Sequence, residues 1–162
     1  MNRRQVLTAA IALTGASALP AVSQNKMEPF IYSLNMSTLR GHQLGFKKEL
    51  EVASKAGYRS VEIWVSTLQD FLKSGGTLQE ASRMAKDLGI SIEGAIGFAP
   101  WIVDDKVARL KGIDQMKAEM DQLAAIGCKR IATPPMGATT GPLLDLSLIA
   151  ERYRKVLELG DQ

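Results

Sequence analysis

One cysteine and one histidine stand in the whole sequence of 162 residues. A lone Cys128 excludes an intrachain disulfide and a cysteine zinc cluster. It is expected to pack as a small hydrophobe. Aromatic residues are few, at 6%. Lys and Arg are interspersed with Asp and Glu, with no basic stripe and no stacking aromatics between them, so the footprint of a nucleic-acid binder is missing. No G-x-G-x-x-G spacing precedes the first expected helix, where the text reads SLNMSTLRGHQ. No apolar run is long enough to span a bilayer. No low-complexity segment or interdomain linker interrupts the chain.

What is present is a repeated phrase. Ala56-Gly57-Tyr58-Arg59-Ser60-Val61-Glu62-Ile63-Trp64-Val65-Ser66 reads as a helix end, a glycine stop and a buried strand. The phrase returns over residues 88–97 and 126–135, and a fourth copy starts at Leu157-Glu158-Leu159-Gly160. Glycine after a helix takes the left-handed conformation at little steric cost. Gly57, Gly89, Gly127 and Gly160 are 32, 38 and 33 residues apart. That is the length of one strand–helix unit, and repeated alternation implies a parallel sheet. Val61, Ile63 and Val65 alternate with Glu62 and Trp64. The β-branched face should meet the helices, leaving Glu62 and Trp64 on the other face.

Residues 1–23 are expected to be a targeting segment outside the fold. Arg3 and Arg4 open it with no acid, so the remaining chain carries +1 of the formal +3. Residues 8–18 are small and apolar, and Ala21-Val22-Ser23 offers a small-x-small cleavage site. The paired arginines resemble the twin-arginine export signal; an ordinary secretory signal is the alternative. The mature chain would begin near Gln24 and be periplasmic or extracellular, with no membrane span after signal removal.

Beyond it, residues 29–38 read as strand 1, with Gly41 and Gly45 framing a loop. Residues 46–56 form helix 1. After strand 2 comes the turn Ser74-Gly75-Gly76. Thr77-Leu78-Gln79-Glu80 is a capping box. It opens helix 2, which carries Leu78, Ala81, Ala85 and Leu88 on one face. Strand 3 covers residues 90–98. Its Gly94, Ala95 and Gly97 leave room for a ligand or for a neighbour's bulk. Helix 3 runs over about residues 106–126 with a stripe of Ile113, Met116, Met120, Leu123 and Ile126, and Gly112 is a candidate break. Asp104 and Asp105 are expected to cap it. Strand 4 covers residues 130–133, ended by Pro134-Pro135. A Gly/Thr-rich loop over residues 136–142 follows. Asp145 should cap helix 4, with Leu146, Ile149, Tyr153, Val156 and Leu157 on its buried stripe.

The organisation is (βα)₄ over residues 24–162. These 139 residues are about half of a closed eight-stranded barrel, which needs ~250. SLNMSTLRG at strand 1, AGYRSVEIWV at strand 2, IEGAIGFAPWIVDD at strand 3 and GCKRIATPP at strand 4 resemble the N-terminal half of a xylose isomerase-like TIM barrel, the sugar phosphate isomerase/epimerase superfamily. The resemblance covers the whole mature chain, truncated before strand 5. It implies parallel strands with outer helices. It also implies a divalent metal (Mn, Mg, Co or Zn) at the mouth of the complete barrel, held by two Glu, an Asp and a His from strands 5 to 8. His42 matches none of these, so no metal or catalytic residue carries over, and these 139 residues are expected to bind no metal.

What the chain is expected to supply is pocket wall. Ligands in such barrels bind at the C-terminal strand ends. That rule selects Asn35 and Ser37, Glu62 and Trp64, Phe98 and Trp101, and Thr133. Trp64 and Trp101 are candidates to stack on a sugar face, Asn35 and Glu62 to bind hydroxyls. Each has a plainer reading. Trp64 fills the barrel core, Trp101 covers its mouth, Glu62 pairs with a structural Arg or Lys, and Asn35 fixes a turn. The expectation is an inactive fragment of a metal-dependent sugar isomerase or epimerase acting on a small carbohydrate. The alternatives are an exported, non-catalytic carbohydrate-binding module and a small flavodoxin-like domain. Open edges at strands 1 and 4 would favour self-association.

Overall fold

A computed structural model describes residues 30–138 and 144–161. Residues 1–23, with the expected export signal, lie outside these, as does most of the Gly/Thr-rich loop. The elements in order are β1 (Ser33–Asn35), a 3₁₀ helix (Met36–His42), α1 (Phe46–Lys55), β2 (Ser60–Trp64), α2 (Val65–Lys73), α3 (Leu78–Asp87), β3 (Ser91–Ile96), α4 (Lys106–Ala125), β4 (Ile131–Ala132) and α5 (Leu146–Gly160).

The four strands form one parallel sheet in the order β1-β2-β3-β4. Each strand pairs with the next one in sequence. An α/β chain with that order and helical crossovers is consistent with the (βα)₄ half of a TIM barrel, as the resemblance implies. Val61 and Ile63 are buried against the helices with Ile92, Ala95, Leu50, Ala53 and Ala81. Glu62 and Trp64 are only half-buried, on the opposite face. The alternation in β2 thus separates a helix-covered face from a concave one.

The glycine stops hold in three copies: Gly57, Gly89 and Gly127 have φ of 91°, 64° and 84°. Gly160 differs, as the last residue of α5 with no positive φ. The capping box is complete. The Thr77 hydroxyl accepts from Glu80 N at 3.1 Å, and the Glu80 carboxylate accepts from Thr77 N at 2.9 Å.

Several expectations need correction. Strand 1 shortens to three residues, because Asn35 Oδ1 accepts from Ser37 N at 2.8 Å and caps a 3₁₀ helix where a strand end and loop were expected. Strand 2 stops at Trp64, and a whole helix, α2, precedes the Ser74-Gly75-Gly76 turn. Val65 and Leu68 bury its inner face at an i, i+3 spacing, where Val65 was expected to continue the strand and no element was expected over residues 67–73. Gly112 does not break α4. A Cβ there would stand 2.7 Å from the Pro100 carbonyl carbon, so glycine permits the loop to cross the helix. Only Asp105 caps α4, accepting from Ala108 N at 2.7 Å. Asp104 instead receives Arg152 Nη2 at 2.8 Å. In α5 Val156 and Arg152 are buried, while Leu146, Tyr153 and Leu157 are exposed.

Candidate functional site

The concave face of the sheet is built from the residues that alternate away from the helices. Asn35 pairs in register with Glu62, Glu62 with Gly94, and Trp64 with Ile96. A bulge between Val61 and Glu62 sets this register: Val61 faces Ile92 and Glu62 faces Gly94, which leaves Glu93 as the extra residue. A Cβ on Gly94 would sit 3.7 Å from the Glu62 side chain, so the glycine leaves space above the carboxylate. An open cavity of about 510 Å³ lies here, lined by Ser33, Asn35, Glu62, Gly94 and Ala132 among others.

Asn35 holds the corner of this site. Its Nδ2 donates to Glu62 Oε2, and its Oδ1 caps the 3₁₀ helix. One side chain therefore orients the carboxylate and starts the segment that crosses the strand ends. Glu62 has no Arg or Lys ion pair among the described residues; its partner is a neutral amide. An amide–carboxylate pair on a concave face leaves carboxylate lone pairs able to accept from ligand hydroxyls.

Trp64 ends β2. The Arg40 guanidinium lies over its ring, 4.0 Å from the centroid, and the Phe98 ring is 4.8 Å away, tilted by 43°. Phe98 is half-buried here, so Trp64, Phe98 and Arg40 form one cluster. Trp64 Nε1 is buried with no hydrogen-bond partner. The sugar-stacking expectation for Trp64 is altered: one of its faces already carries Arg40. Sequence reasoning passed over Arg40. Its only signal was a position five residues past Asn35, and that distance becomes contact only because the chain coils there into a 3₁₀ helix.

Trp101 does not join the cluster. It is 4% exposed within a second core, with Ile102, Met116 and Val156. Its Nε1 donates to the Thr133 carbonyl at 3.2 Å, and its ring lies 5.6 Å from that of Tyr153. A ring packed under α5 with its donor satisfied is not a platform for a ligand, and Thr133 serves as its backbone acceptor. Ser37 lies exposed in the 3₁₀ helix and contributes its backbone N–H to the Asn35 cap.

Other titratable groups are structural. Glu119 of α4 is 2% exposed over Gly97, and burial pushes its carboxyl above the usual carboxylate range. A hydrogen bond from Gln115 at 2.7 Å partly offsets that. Glu49 of α1 is likewise raised by burial. Burial pushes the Cys128 thiol up, away from reactivity. Glu93 is lowered, first by the Ser91 hydroxyl at 2.6 Å and then by Arg130 at 3.1 Å. Among the described residues no three His, Cys, Asp or Glu side chains gather into a metal-holding group. The donor set of the described residues does not fit a metal, and no step is assigned to one on them.

The family model described as xylose isomerase-like TIM barrel matches residues 50–162. The chain belongs to the xylose isomerase-like TIM barrel family. Solved structures of the same fold include the probable 3-DHS dehydratase AsbF of Bacillus anthracis, with TM-score 0.66 and 18% identity over 82% of this chain and 49% of that one. D-psicose 3-epimerase of Clostridium cellulolyticum H10 aligns with TM-score 0.59 and 16% identity, over 82% of this chain and 49% of that one. The 3-keto-D-glucoside 4-epimerase YcjR of E. coli aligns with TM-score 0.56 and 20% identity, over 72% and 47%. At these identities the likeness establishes the fold. The xylose isomerase-like chain spans about half the length of these structures. Among curated proteins none matches it in sequence.

Proposed function

We propose that this chain forms the substrate-binding half of a metal-dependent sugar isomerase or epimerase. The observation that carries the reading is the Asn35–Glu62 pair on the concave face, with Asn35 at the C-terminal end of β1 and Glu62 two residues before that of β2, both lining the cavity; barrels of this fold bind their ligands at the C-terminal strand ends. In this reading Glu62 accepts from sugar hydroxyls, and Asn35 fixes the carboxylate. Trp64, on the same face of β2, and Phe98 stand beyond the cavity lining, their rings 4.8 Å apart. The metal, the base and the acid come from the other half of the barrel. The reaction class is proton transfer at the carbon beside a carbonyl, and residues 24–162 alone are inactive. Two of the structural neighbours are named as sugar epimerases, which supports the class. Another is named as a dehydratase, so the fold alone does not choose between reactions.

The test is exchange. The complete gene product is incubated in D₂O with Mn²⁺ and a panel of ketoses, and deuterium is sought at the carbon next to the carbonyl. Exchange abolished by a chelator and reduced about 10- to 100-fold by Glu62→Gln is the expected result, the loss of one charged hydrogen bond. Exchange with no sugar in any metal would sink the proposal. Chelator-independent sugar binding without exchange would favour a non-catalytic carbohydrate-binding module, which the same concave face would also serve.

Two further parts of the proposal concern place and assembly. Residues 1–23 direct export, on the strength of Arg3-Arg4 and the Ala21-Val22-Ser23 site. The N-terminal sequence of the protein recovered from its host should then begin near Gln24. Among the described residues no helix is long and apolar enough to cross a membrane. The segment 24–162 expressed alone self-associates, because β1 and β4 are edge strands and Phe30, Ile31 and Tyr32 beside β1 are 70–77% exposed. A monodisperse monomer in sedimentation would contradict that.

A further inference from the structure

Gly94 is a glycine that neither space nor backbone demands. A Cβ there would meet nothing nearer than the Glu62 side chain at 3.7 Å, an ordinary contact. Its φ lies outside the left-handed region. Glycine inside a strand weakens it, and it often marks a place where something comes close to the backbone. With regular pairing Glu93 would face Glu62; the bulge sets Gly94 there instead. Two groups flank the opening. On the β2 side, Glu62 Oε2 accepts from Asn35 Nδ2. Its Oε1 stands 3.7 Å from the Gly94 Cβ position and has no hydrogen-bond partner among the described residues. On the β4 side, Arg130 lines the same cavity as Glu62 and Gly94. Ala95 pairs with Ile131, which sets Arg130 one position earlier, beside Gly94. Arg130 Nη1 donates to Glu93 Oε2 at 3.1 Å and lies 3.5 Å from the Glu93 carbonyl oxygen, the oxygen of the peptide that leads into Gly94. Its Nη2 and Nε carry no hydrogen bond among the described residues. One row across the sheet thus holds Asn35, Glu62, Gly94 and Arg130, with an acceptor on one side of the glycine and a donor on the other.

We infer that Gly94 is a specificity residue, whose missing side chain makes a subsite for one ligand hydroxyl. That hydroxyl donates to Glu62 Oε1 and accepts from Arg130. A hydroxyl is a group that does both. A carboxylate or phosphate in the same place would set like charge against Glu62, and an ammonium would set it against Arg130. Asn35 holds the other carboxylate oxygen, which keeps Oε1 turned to the glycine. The inference rests on the concave face being the carbohydrate site, and it adds the residues that select a hydroxyl there.

The test uses ligands that differ in hydroxyl orientation alone. The complete gene product is titrated calorimetrically, with Mn²⁺ present, with the ketoses D-fructose, D-psicose and D-tagatose. The hexitols D-glucitol, D-mannitol and galactitol form a second set, which has no carbonyl and is not turned over. One member of a set should bind about 10-fold more tightly than the others, the worth of a hydrogen bond to a charged group. Gly94→Ala should remove that preference while the melting temperature stays equal to the parent's or rises. Arg130→Gln should weaken the same member by about 10-fold. In the double variant the two losses should not add, because both empty one subsite. A Gly94→Ala variant that keeps the preference overturns the inference and leaves the carbohydrate reading standing. So does one that loses the preference and melting temperature together, because the glycine would then serve the strand, and so do losses that add. Absence of binding by every ketose and hexitol overturns this inference and the carbohydrate reading together.

Discussion

The region around β2 and the region around β4 are built from the same phrase and end differently. Around β2 the helices close on the sheet. Leu50, Val61, Ile63 and Leu68 are fully buried, with α1, α2 and α3 packed over β1, β2 and β3. Around β4 the strand is two residues long, and only one of its edges is paired. An open groove of about 590 Å³ runs between α4 and α5, lined by Leu123, Cys128, Ile131, Tyr153 and Leu157 among others. The difference teaches what the repeat encodes. In a barrel each helix packs over its own strand and the next. The buried stripe of a unit is therefore written partly for a neighbour. Tyr153 and Leu157 line the groove and stay exposed among the described residues.

The largest test of that contrast is core truncation. Leu50→Ala should cost about 2–5 kcal/mol, as for a well-packed leucine with no room to collapse. Leu157→Ala in the same chain should cost within about 0.5 kcal/mol, as for an exposed position. Urea unfolding of residues 24–162 measures both. Equal costs would mean that something already fills the groove, and the comparison would fail. In the complete gene product the gap should narrow.

Glycines provide the next test, with opposite signs expected in α4 and α5. Gly→Ala within a helix ordinarily gains up to about 1 kcal/mol. Gly112→Ala should instead lose about 1–3 kcal/mol, because its Cβ meets the Pro100 carbonyl carbon at 2.7 Å and oxygen at 2.8 Å. Gly160→Ala meets nothing within 4 Å. It should be neutral or slightly favourable in thermal unfolding. A stabilising Gly112→Ala would show that the loop over α4 yields easily.

Much of this was legible in the sequence, and the reason is local. Period-two alternation in Val61–Val65, the Thr77–Glu80 capping box and the glycine stops each concern residues within a few positions of one another. Residue type and spacing are enough for those. What escaped depends on distance. Arg40 meets Trp64 across 24 positions, Arg152 meets Asp104 across 48, and Trp101 is covered by a helix that begins 45 residues later. The candidate site divides in the same way. Asn35 meets Glu62, and Trp64 meets Phe98, because adjacent strands in a parallel sheet are neighbours by topology. Trp101 lies beyond the strand, where loop geometry decides, and the loop turns it under α5. The α2 helix was missed for a different reason: β-branched Val65 continues the alternation of β2, and residues 65–73 offer only the short Val65–Leu68 spacing as a helical signal.

A smaller effect is electrostatic. Glu119 is buried with Oε2 unpartnered, and burial raises its carboxyl. A carboxyl raised in the folded state holds its proton longer there than in the unfolded chain. Its cost is therefore absent below the ordinary Glu range and grows as pH rises through the raised value. Glu119→Met should stabilise the protein at pH 7 by about 1–2 kcal/mol, by removing an unsatisfied buried group. It should add little at pH 4. Urea midpoints at the two pH values check this. A variant equally stabilised at both would point to packing over Gly97, not to charge.

The smallest expected difference compares two helix caps. Thr77 starts α3 inside the closed region, and Asp145 starts α5 in the open one, accepting from Ser147 N at 2.8 Å and Leu148 N at 3.2 Å. Replacing either by Ala removes about 1 kcal/mol of local helix stability. Where that loss is felt depends on coupling. The inner face of α3, Ala81 and Ala85, belongs to the main core. Opening its first turn disturbs that core, so Thr77→Ala should lower the global unfolding midpoint. The α5 helix is tied mainly through Val156 and Arg152 in its later turns. Its first turn is only partly covered, with Leu146 and Ser147 exposed and Leu148 and Ile149 half-buried, so Asp145→Ala should fray that turn with little change in the midpoint. Hydrogen exchange at the amides of Ser147, Leu148 and Ile149 should accelerate about fivefold, the equivalent of about 1 kcal/mol. A fall in global midpoint as large as that of Thr77→Ala would mean that α5 folds as one unit with the sheet. The open region would then be as cooperative as the closed one.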